Sequence, residues 1–283
     1  MSNNKGTVIQ VMGPVLDIRF ADDQLPLLNS AIEIPNGDKT IVAEVATFEN
    51  VYQPKYEEIS GGEYCLKGKW AEKVFGNNNP IVLEIGCGKG EYTVGLAKLF
   101  PEKNFIGIDI KGARIWRGAK TALEEKIPNV AFLRAFVEQI DAIFAEGEVD
   151  EMWITFPDPQ MNKARKRLTG SKLLAQYRKY LKPNGLVHLK TDSGFLYQYT
   201  IELIKKNGMT CNVDNNDLYL QGGADDKILS IRTFYEQQWL NRGKTIKYVQ
   251  FMLDGQESIE EPDVEIEKDD YHSQSQYMSV VEE

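Results

Sequence analysis

The sequence predicts an α/β fold built on a Rossmann-like parallel sheet, and three observations carry that prediction. Ile81–Ile85 is an aliphatic run broken only by Glu84 and bounded by Pro80, which reads as a strand buried on both faces. It runs straight into glycines at 86, 88 and 90, a turn with almost no side-chain bulk. Behind the turn, Tyr92–Phe100 places Val94, Leu96, Ala97 and Leu99 at helical spacing. From there strand and helix patterns alternate, the signature of parallel strands joined by crossover helices.

The later elements follow in order. Asn104–Ile110 is the second strand of this unit, with Asp109 near its tip, and Gly112–Glu125 is a helix with Ile115, Trp116, Ala119 and Leu123 on one side. Val130–Leu133 is a strand, Glu138–Phe144 a helix and Val149–Phe156 the fourth strand. Helix Ser171–Tyr180 leads through Pro183-Asn184-Gly185 into strand Leu186–Lys190, and Phe195–Lys206 is again helical. Apolar strands around Ile228–Tyr235 and Ile246–Met252 are expected to close a seven-stranded sheet as an antiparallel pair.

The ends of the chain read differently. Residues 1–46 are β-rich: Gly6–Phe20 alternates around Gly13-Pro14, and Ala31–Ile34 and Thr40–Val45 flank a hairpin turn at Asn36-Gly37-Asp38. Residues 47–79 shift to Tyr, Glu, Lys and Gly, with Val51-Tyr52-Gln53-Pro54 extended and a short helix over Trp70–Phe75. Residues 253–283 are acidic, poor in large apolar groups and aperiodic, so a disordered tail is expected. The predicted organisation is a 1–46 leader, a 47–252 domain and a 253–283 tail.

Composition excludes several classes of function. The chain has 283 residues, 42% of them hydrophobic and 27% charged, as in globular proteins. No apolar run approaches the roughly 20 residues of a membrane span, and Met1–Gly6 lacks a signal-peptide layout, so no membrane role is expected. Cys65, Cys87 and Cys211 are scattered, and His188 and His272 are the only histidines. That set supplies neither a zinc site nor a Cys-His or Ser-His-Asp catalyst, so no metal is expected and a cytoplasmic location is the simplest one. His188, inside the apolar strand Leu186–Leu189, reads as a packed core residue. The net charge of −9 belongs to the ends: residues 253–283 carry −10 and residues 1–46 carry −3, leaving 47–252 at +4. The middle of the chain can therefore bind a polyanion.

The glycine turn names a ligand class. A dinucleotide fingerprint Gly-x-Gly-x-x-Gly fails here because Glu91 holds its last position. What stands instead is Glu84-x-Gly86-x-Gly88-x-Gly90, with Asp109 at the tip of the next strand, a pattern similar to that of class I S-adenosylmethionine-dependent methyltransferases. Carboxylates beside the turn suit a cationic ligand with ribose hydroxyls, whereas an ordinary tight turn requires neither of them.

A second constellation follows the fourth strand. Phe156-Pro157-Asp158-Pro159 presents one carboxylate on a backbone fixed by two prolines, beyond the carboxyl end of its strand. A structural turn capped by Asp is the plain alternative. From Pro159 to Thr191 there is no acid, while Lys163, Arg165, Lys166, Arg167, Lys172, Arg178, Lys179, Lys182 and Lys190 supply nine positive charges. A run of that kind beside a methyl-donor site reads as a patch for a phosphate backbone, against the plain alternative of a solvated helix face.

Together these residues resemble the bacterial tRNA (guanine-N7)-methyltransferases over 47–252. The resemblance rests on Leu-Glu-Ile-Gly-Cys-Gly-Lys-Gly (83–90), Asn-Phe-Ile-Gly-Ile-Asp (104–109), Phe-Pro-Asp-Pro (156–159), Lys-Arg-Leu-Thr (166–169), Lys-Thr-Asp (190–192) and Thr-Phe-Tyr-Glu (233–236). It implies the class I methyltransferase fold, S-adenosyl-L-methionine as cofactor, tRNA as partner and 7-methylguanosine as product. It further implies that Glu84, the glycines at 86, 88 and 90, and Asp109 hold the donor, that Asp158 is the active-site carboxylate and a further donor contact, and that Lys163, Asp192 and Thr233, Phe234, Tyr235 and Glu236 contact guanosine or its RNA. Arg165 and Arg167 extend the RNA-facing set through the basic run. Phe136 stands where the family has Asp or Asn for the adenine amino group, so stacking replaces a polar contact. Gln160 stands where a tryptophan is common, and the loop lysine is shifted by one, with Asn162 beside Lys163. The family's basic N-terminal peptide is missing.

Residues 1–46 resemble instead part of the N-terminal barrel of the ATP synthase beta subunit, through Val-x-Gly-Pro-Val-x-Asp-x-Arg-Phe, without any phosphate-binding loop in the chain. A fused leader is the favoured account of that segment, with an oligomerisation or docking module as the alternative. Other readings are a methyltransferase for another RNA base or small molecule, an ATP-synthase-related structural or assembly protein, and a non-catalytic RNA-binding module. A monomer or homodimer is expected.

Overall fold

The computed structural model describes residues 5–12, 15–21, 24, 26, 31–44, 48–61, 64–223 and 225–269. The predicted Gly13-Pro14 turn, Val45 and the tail from 270 onward lie outside them. The N-terminal region forms two antiparallel pairs, β1 (Thr7–Met12) with β2 (Val15–Arg19) and β3 (Ala31–Asn36) with β4 (Lys39–Glu44), each a two-stranded sheet of its own.

After β5 (Val51–Tyr52), α1 (Tyr56–Ser60) and α2 (Trp70–Lys73), the α/β unit begins. It runs β6 (Ile81–Ile85), α3 (Glu91–Leu99), β7 (Asn104–Asp109), α4 (Gly112–Glu124), β8 (Val130–Arg134), α5 (Ile140–Ile143) and β9 (Val149–Thr155). It continues with α6 (Ser171–Tyr180), β10 (Leu181–Thr191), α7 (Gly194–Lys206), β11 (Cys211–Asn215), α8 (Phe234–Asn241) and β12 (Lys247–Met252). These strands form one sheet in the order β11-β12-β10-β9-β6-β7-β8-β5. The six strands from β10 to β5 are parallel, and β12 and β11 complete the far side antiparallel.

Alternation along the strands builds two cores. Ile81, Leu83 and Ile85 face a layer that includes Trp70, Ile140, Leu173, Tyr177, Leu196 and Leu203, so α2, α5, α6 and α7 cover one face. Val82, Phe105 and Phe132 face Tyr92, Leu96, Ile115, Ala119 and Trp239, so α3, α4 and α8 cover the other. Burial of both faces explains why these strands read as continuous apolar runs.

Four expectations are corrected. The sheet has eight strands because Val51-Tyr52 pairs in parallel with Phe132 and Leu133 at the edge. Ile228–Tyr235 is not a strand: the carbonyls of Ile228, Leu229 and Ile231 accept from the side chains of Tyr92 and Lys190, which removes them from any ladder. The last antiparallel neighbour is the polar, half-exposed Cys211–Asn215, whose composition gave little strand signal. The predicted helix Glu138–Phe144 is a 3-10 turn, Val137–Gln139, followed by the single turn of α5. The tail correction covers 254–269, which has no regular structure but is held in place. Glu261 accepts from the Ser171 and Tyr199 hydroxyls, at 2.6 and 2.7 Å, and Asp269 accepts from the Ser193 hydroxyl and the Phe195 amide, at 2.6 and 3.0 Å. Ile259 and Ile266 pack on the core.

Candidate active site

Chain order reverses between β6 and β9: β7 and β8 extend the sheet on one side, β10 on the other. Ligands of such sheets bind beyond the carboxyl ends of the strands at this switch point. The two segments that leave it are the glycine turn after β6 and Phe156–Pro159 after β9.

The glycine turn is shaped by its backbone. Gly86, Gly88 and Gly90 sit at φ of 76°, 56° and 70°, the left-handed region that side chains disfavour. A Cβ on Gly90 would lie 2.5 Å from the Phe132 ring. The amides of Gly86 and Cys87 both donate to Ile108 O, at 2.8 and 2.9 Å, tying the turn to β7. Asp109, 8% exposed at the tip of β7, accepts from the Gly88 amide (3.0 Å) and, with its other oxygen, from the Lys111 amide (2.8 Å). Each oxygen keeps a further lone pair for a ligand hydroxyl.

Glu84 lies beneath. It is buried, and its oxygens accept from the Thr93 amide (2.8 Å), the Thr93 hydroxyl and the Thr155 hydroxyl (2.5 Å). Burial pushes its carboxyl up to about 7, against the lowering effect of those hydrogen bonds. Glu84 therefore joins β6, α3 and β9 from within. At the next strand tip Phe136 is 53% exposed, an aromatic face open beside Asp109's strand.

On the other side of the switch point, Phe156 and Gln160 bracket Pro157-Asp158-Pro159 at φ of 48° and 46°, left-handed for non-glycine residues. Asp158 is exposed, with one oxygen accepting the Gln160 amide at 2.9 Å. Beyond β10, Asp192 is 6% exposed, and its Oδ1 has no hydrogen-bond partner among the described residues. Burial pushes this carboxyl up to about 6. Thr233 caps α8, its side chain accepting the Glu236 amide at 3.1 Å. Phe234 and Tyr235 return to the glycine turn. The Phe234 amide donates to Glu91 (2.7 Å), its ring lies 3.5 Å from the Lys89 ammonium, and Tyr235 stands 3.7 Å from a Cβ position on Gly88.

The structure thus gathers Gly86, Gly88, Gly90, Asp109, Phe136, Asp158, Asp192, Thr233, Phe234 and Tyr235 along the carboxyl ends of the strands. Three expected contact residues, the donor candidate Glu84 described above among them, are instead internal. The Arg167 guanidinium is buried over the Phe195 and Tyr199 rings and donates to Pro159 O (3.3 Å) and Met161 O (2.7 Å), so it braces the Asp158 loop. Glu236 is fully buried against Lys190 at 2.9 Å.

The basic patch of nine also divides. Lys163, Arg165, Lys166 and Lys172 are exposed on the loop after β9 and the first turn of α6. Helix α6 then carries the chain to the amino ends of the strands, where Leu181 pairs with Val149. There Arg178 donates to the carbonyls of Asp254, Gln256 and Glu257, Lys179 pairs with Asp141 and Lys182 with Asp150. Lys190 is buried. Sequence reasoning missed Lys89, Glu91, Thr93 and Thr155 as site-building residues; Lys89 lies inside the 83–90 motif, and Glu91 and Thr155 stand directly beside motifs. His188 is packed as expected, stacked on Trp153 at 3.9 Å with Nδ1 2.8 Å from the Tyr248 hydroxyl.

Comparison with known proteins fixes the family. The family described as "Putative methyltransferase" matches residues 78–249. A tRNA (guanine-N(7)-)-methyltransferase of Bacteroides fragilis is 52% identical over 231 residues, spanning 82% of this chain and 91% of that protein. The Porphyromonas gingivalis protein of the same name is 56% identical over 231 residues, spanning 80% and 94%. This chain belongs to the tRNA (guanine-N(7)-)-methyltransferase family. Among solved structures, the 16S rRNA methyltransferase KamB superposes with a TM-score of 0.50 at 14% identity, covering 64% of this chain and 91% of that one, a likeness of fold. The class I methyltransferase fold expected from the glycine turn is the one present. Among the described residues no helix is long and apolar enough to cross a membrane, and no three His, Cys, Asp or Glu residues cluster as metal ligands.

Proposed function

We propose that this chain transfers the methyl group of S-adenosyl-L-methionine to N7 of a guanine in tRNA, forming 7-methylguanosine. The observation that carries the reading is the placement of the glycine turn and Asp158 on the two sides of one switch point, with Asp192 at the tip of the next strand, in a member of this family. The donor fits the residues present. Asp109 has free lone pairs for ribose hydroxyls, the exposed Phe136 offers a face for adenine, and three left-handed glycines leave the turn open to close approach. Bound there, S-adenosylmethionine supplies a methyl group activated by a cationic sulfonium.

Guanine N7 carries a lone pair and no proton, so the chain needs no general base at that atom. Its contribution is alignment, which can lower a barrier by several kcal/mol. Asp158, exposed on a loop stiffened by two prolines and braced by Arg167, accepts hydrogen bonds from guanine N–H groups and offsets the positive charge that the ring gains. Asp192 Oδ1, buried and without a partner among the described residues, is a second acceptor for the base. Lys163, Arg165 and Lys166 face the RNA backbone, and Thr233, Phe234 and Tyr235 border the guanosine where it meets the donor. Glu84 and Arg167 act from inside, as supports. A monomer or homodimer is proposed, and a cytoplasmic location is the reading that suits a tRNA substrate. Residues 1–46 contribute none of these groups and are read as a separate leader.

Incubation of the full chain with unmodified tRNA and labelled S-adenosylmethionine, followed by nucleoside analysis, tests the proposal. Label in 7-methylguanosine is expected; label in another nucleoside, or none, overturns it.

A further inference from the structure

Lys190 stands at a junction of the acceptor side. Its backbone oxygen accepts the amide of Phe156 at 2.8 Å, holding the residue that opens the Asp158 loop, and two positions later the chain reaches Asp192. Its ammonium uses all three of its protons: on Leu229 O (2.7 Å), on Ile231 O (3.2 Å) and on the Glu236 carboxylate (2.9 Å). Glu236 is equally occupied, with its other oxygen accepting the Tyr219 hydroxyl at 2.6 Å. Both side chains are 0% exposed. The segment held in this way continues into Phe234 and Tyr235, which lie on Lys89 and against Gly88.

We propose that Lys190 and Glu236 are a positioning pair. They clamp segment 228–236 to β10, so that the residues bordering guanosine, the Asp158 loop and Asp192 keep one mutual geometry. Neither side chain touches RNA. The inference rests on the tRNA methyltransferase reading and reassigns Glu236, which resemblance alone would place on the substrate. A carboxylate with no exposed surface, enclosed by Lys190 and Tyr219, is closed to a base.

A pair that only positions can be replaced by apolar groups of similar size, because what harms a buried pair most is the loss of one partner. The test therefore compares K190M, E236Q and the double replacement K190M/E236L in the full chain, by S-adenosylhomocysteine calorimetry, thermal melting and steady-state 7-methylguanosine formation on unmodified tRNA. K190M is expected to lower kcat/KM for tRNA about 100-fold while the S-adenosylhomocysteine Kd stays within about threefold, and the double variant is expected to recover about tenfold or more of that loss. A folded, ligand-binding double variant no more active than K190M overturns the proposal, since Glu236 would then be needed as a carboxylate. So does a K190M protein within about threefold of the wild-type kcat/KM, since the pair would then serve stability alone. If K190M does not fold, E236Q decides: its amide keeps the shape and an acceptor for Lys190, so a loss below about tenfold, mainly in KM, supports positioning, and a loss above about 100-fold contradicts it. Wild-type protein that makes no 7-methylguanosine is a failure of the activity reading and is seen before any variant is compared.

Discussion

The donor side and the acceptor side of this site are built in opposite ways. The donor side is centred on one strand, one turn and one helix start and is braced by the neighbouring strands: Ile108 O and Asp109 of β7 hold the Gly86, Cys87 and Gly88 amides, and Thr93 and Thr155 hold the Glu84 carboxylate. The acceptor side is assembled from three stretches far apart in the chain, around 156–163, 190–192 and 233–236, and at Asp192 it keeps a buried carboxylate oxygen without a partner among the described residues. The difference teaches that the donor cradle has its own hydrogen-bond partners, while the acceptor side keeps a buried acceptor oxygen that a base can satisfy.

That comparison can be broken first at Gly90. G90A forces a side chain into a left-handed position and into the Phe132 ring, at 2.5 Å. Strain and overpacking together amount to about 2–5 kcal/mol. Calorimetry with S-adenosylhomocysteine is expected to find binding reduced about 100-fold or more, with activity lost in parallel; unchanged donor binding would show that the turn is not the cradle.

Asp192 sharpens the other side. Its carboxyl is raised to about 6 by burial, so it is protonated below that pH and ionised above it. If its anion receives the base, kcat/KM for tRNA falls as pH drops through about 6, because this parameter reports the free enzyme. D192N is expected to lower kcat/KM about 30- to 100-fold at neutral pH, to remove that step from the profile, and to leave the S-adenosylhomocysteine Kd within about threefold. A step that persists in D192N belongs to another group. The smallest expected effect is at Phe136. F136A removes an exposed stacking face and is expected to weaken donor binding about tenfold, since a stacked base is worth about 1–3 kcal/mol, with kcat little changed.

The same contrast explains what could be read from sequence. The donor side was legible because glycines at 86, 88 and 90 mark left-handed backbone directly, and Asp109 follows at the tip of the next strand. Asp158 stood out locally on its two-proline loop, whereas Asp192 and Thr233 were found only through family resemblance, since no local pattern tells that they share its end of the sheet. The basic run misled for the same reason: neighbours in sequence part company when α6 carries Arg178, Lys179 and Lys182 to the opposite rim. Arg167 and Glu236 carry the charge expected of RNA contacts, and only their burial reveals them as supports. The strand predicted at Ile228–Tyr235 failed because its carbonyls are satisfied by side chains, which a hydropathy pattern does not record.

The central claim is that donor binding and guanine activation are separate tasks of the two sides, with Asp158 belonging to the second. The direct measurement is D158N, assayed for 7-methylguanosine formation under saturating donor and for S-adenosylhomocysteine affinity in the same preparation. Loss of a carboxylate that stabilises charge arising only in the transition state predicts turnover lowered about 100- to 1000-fold with donor affinity within about threefold of wild type. Parallel loss of both, or turnover left nearly intact, would contradict the account.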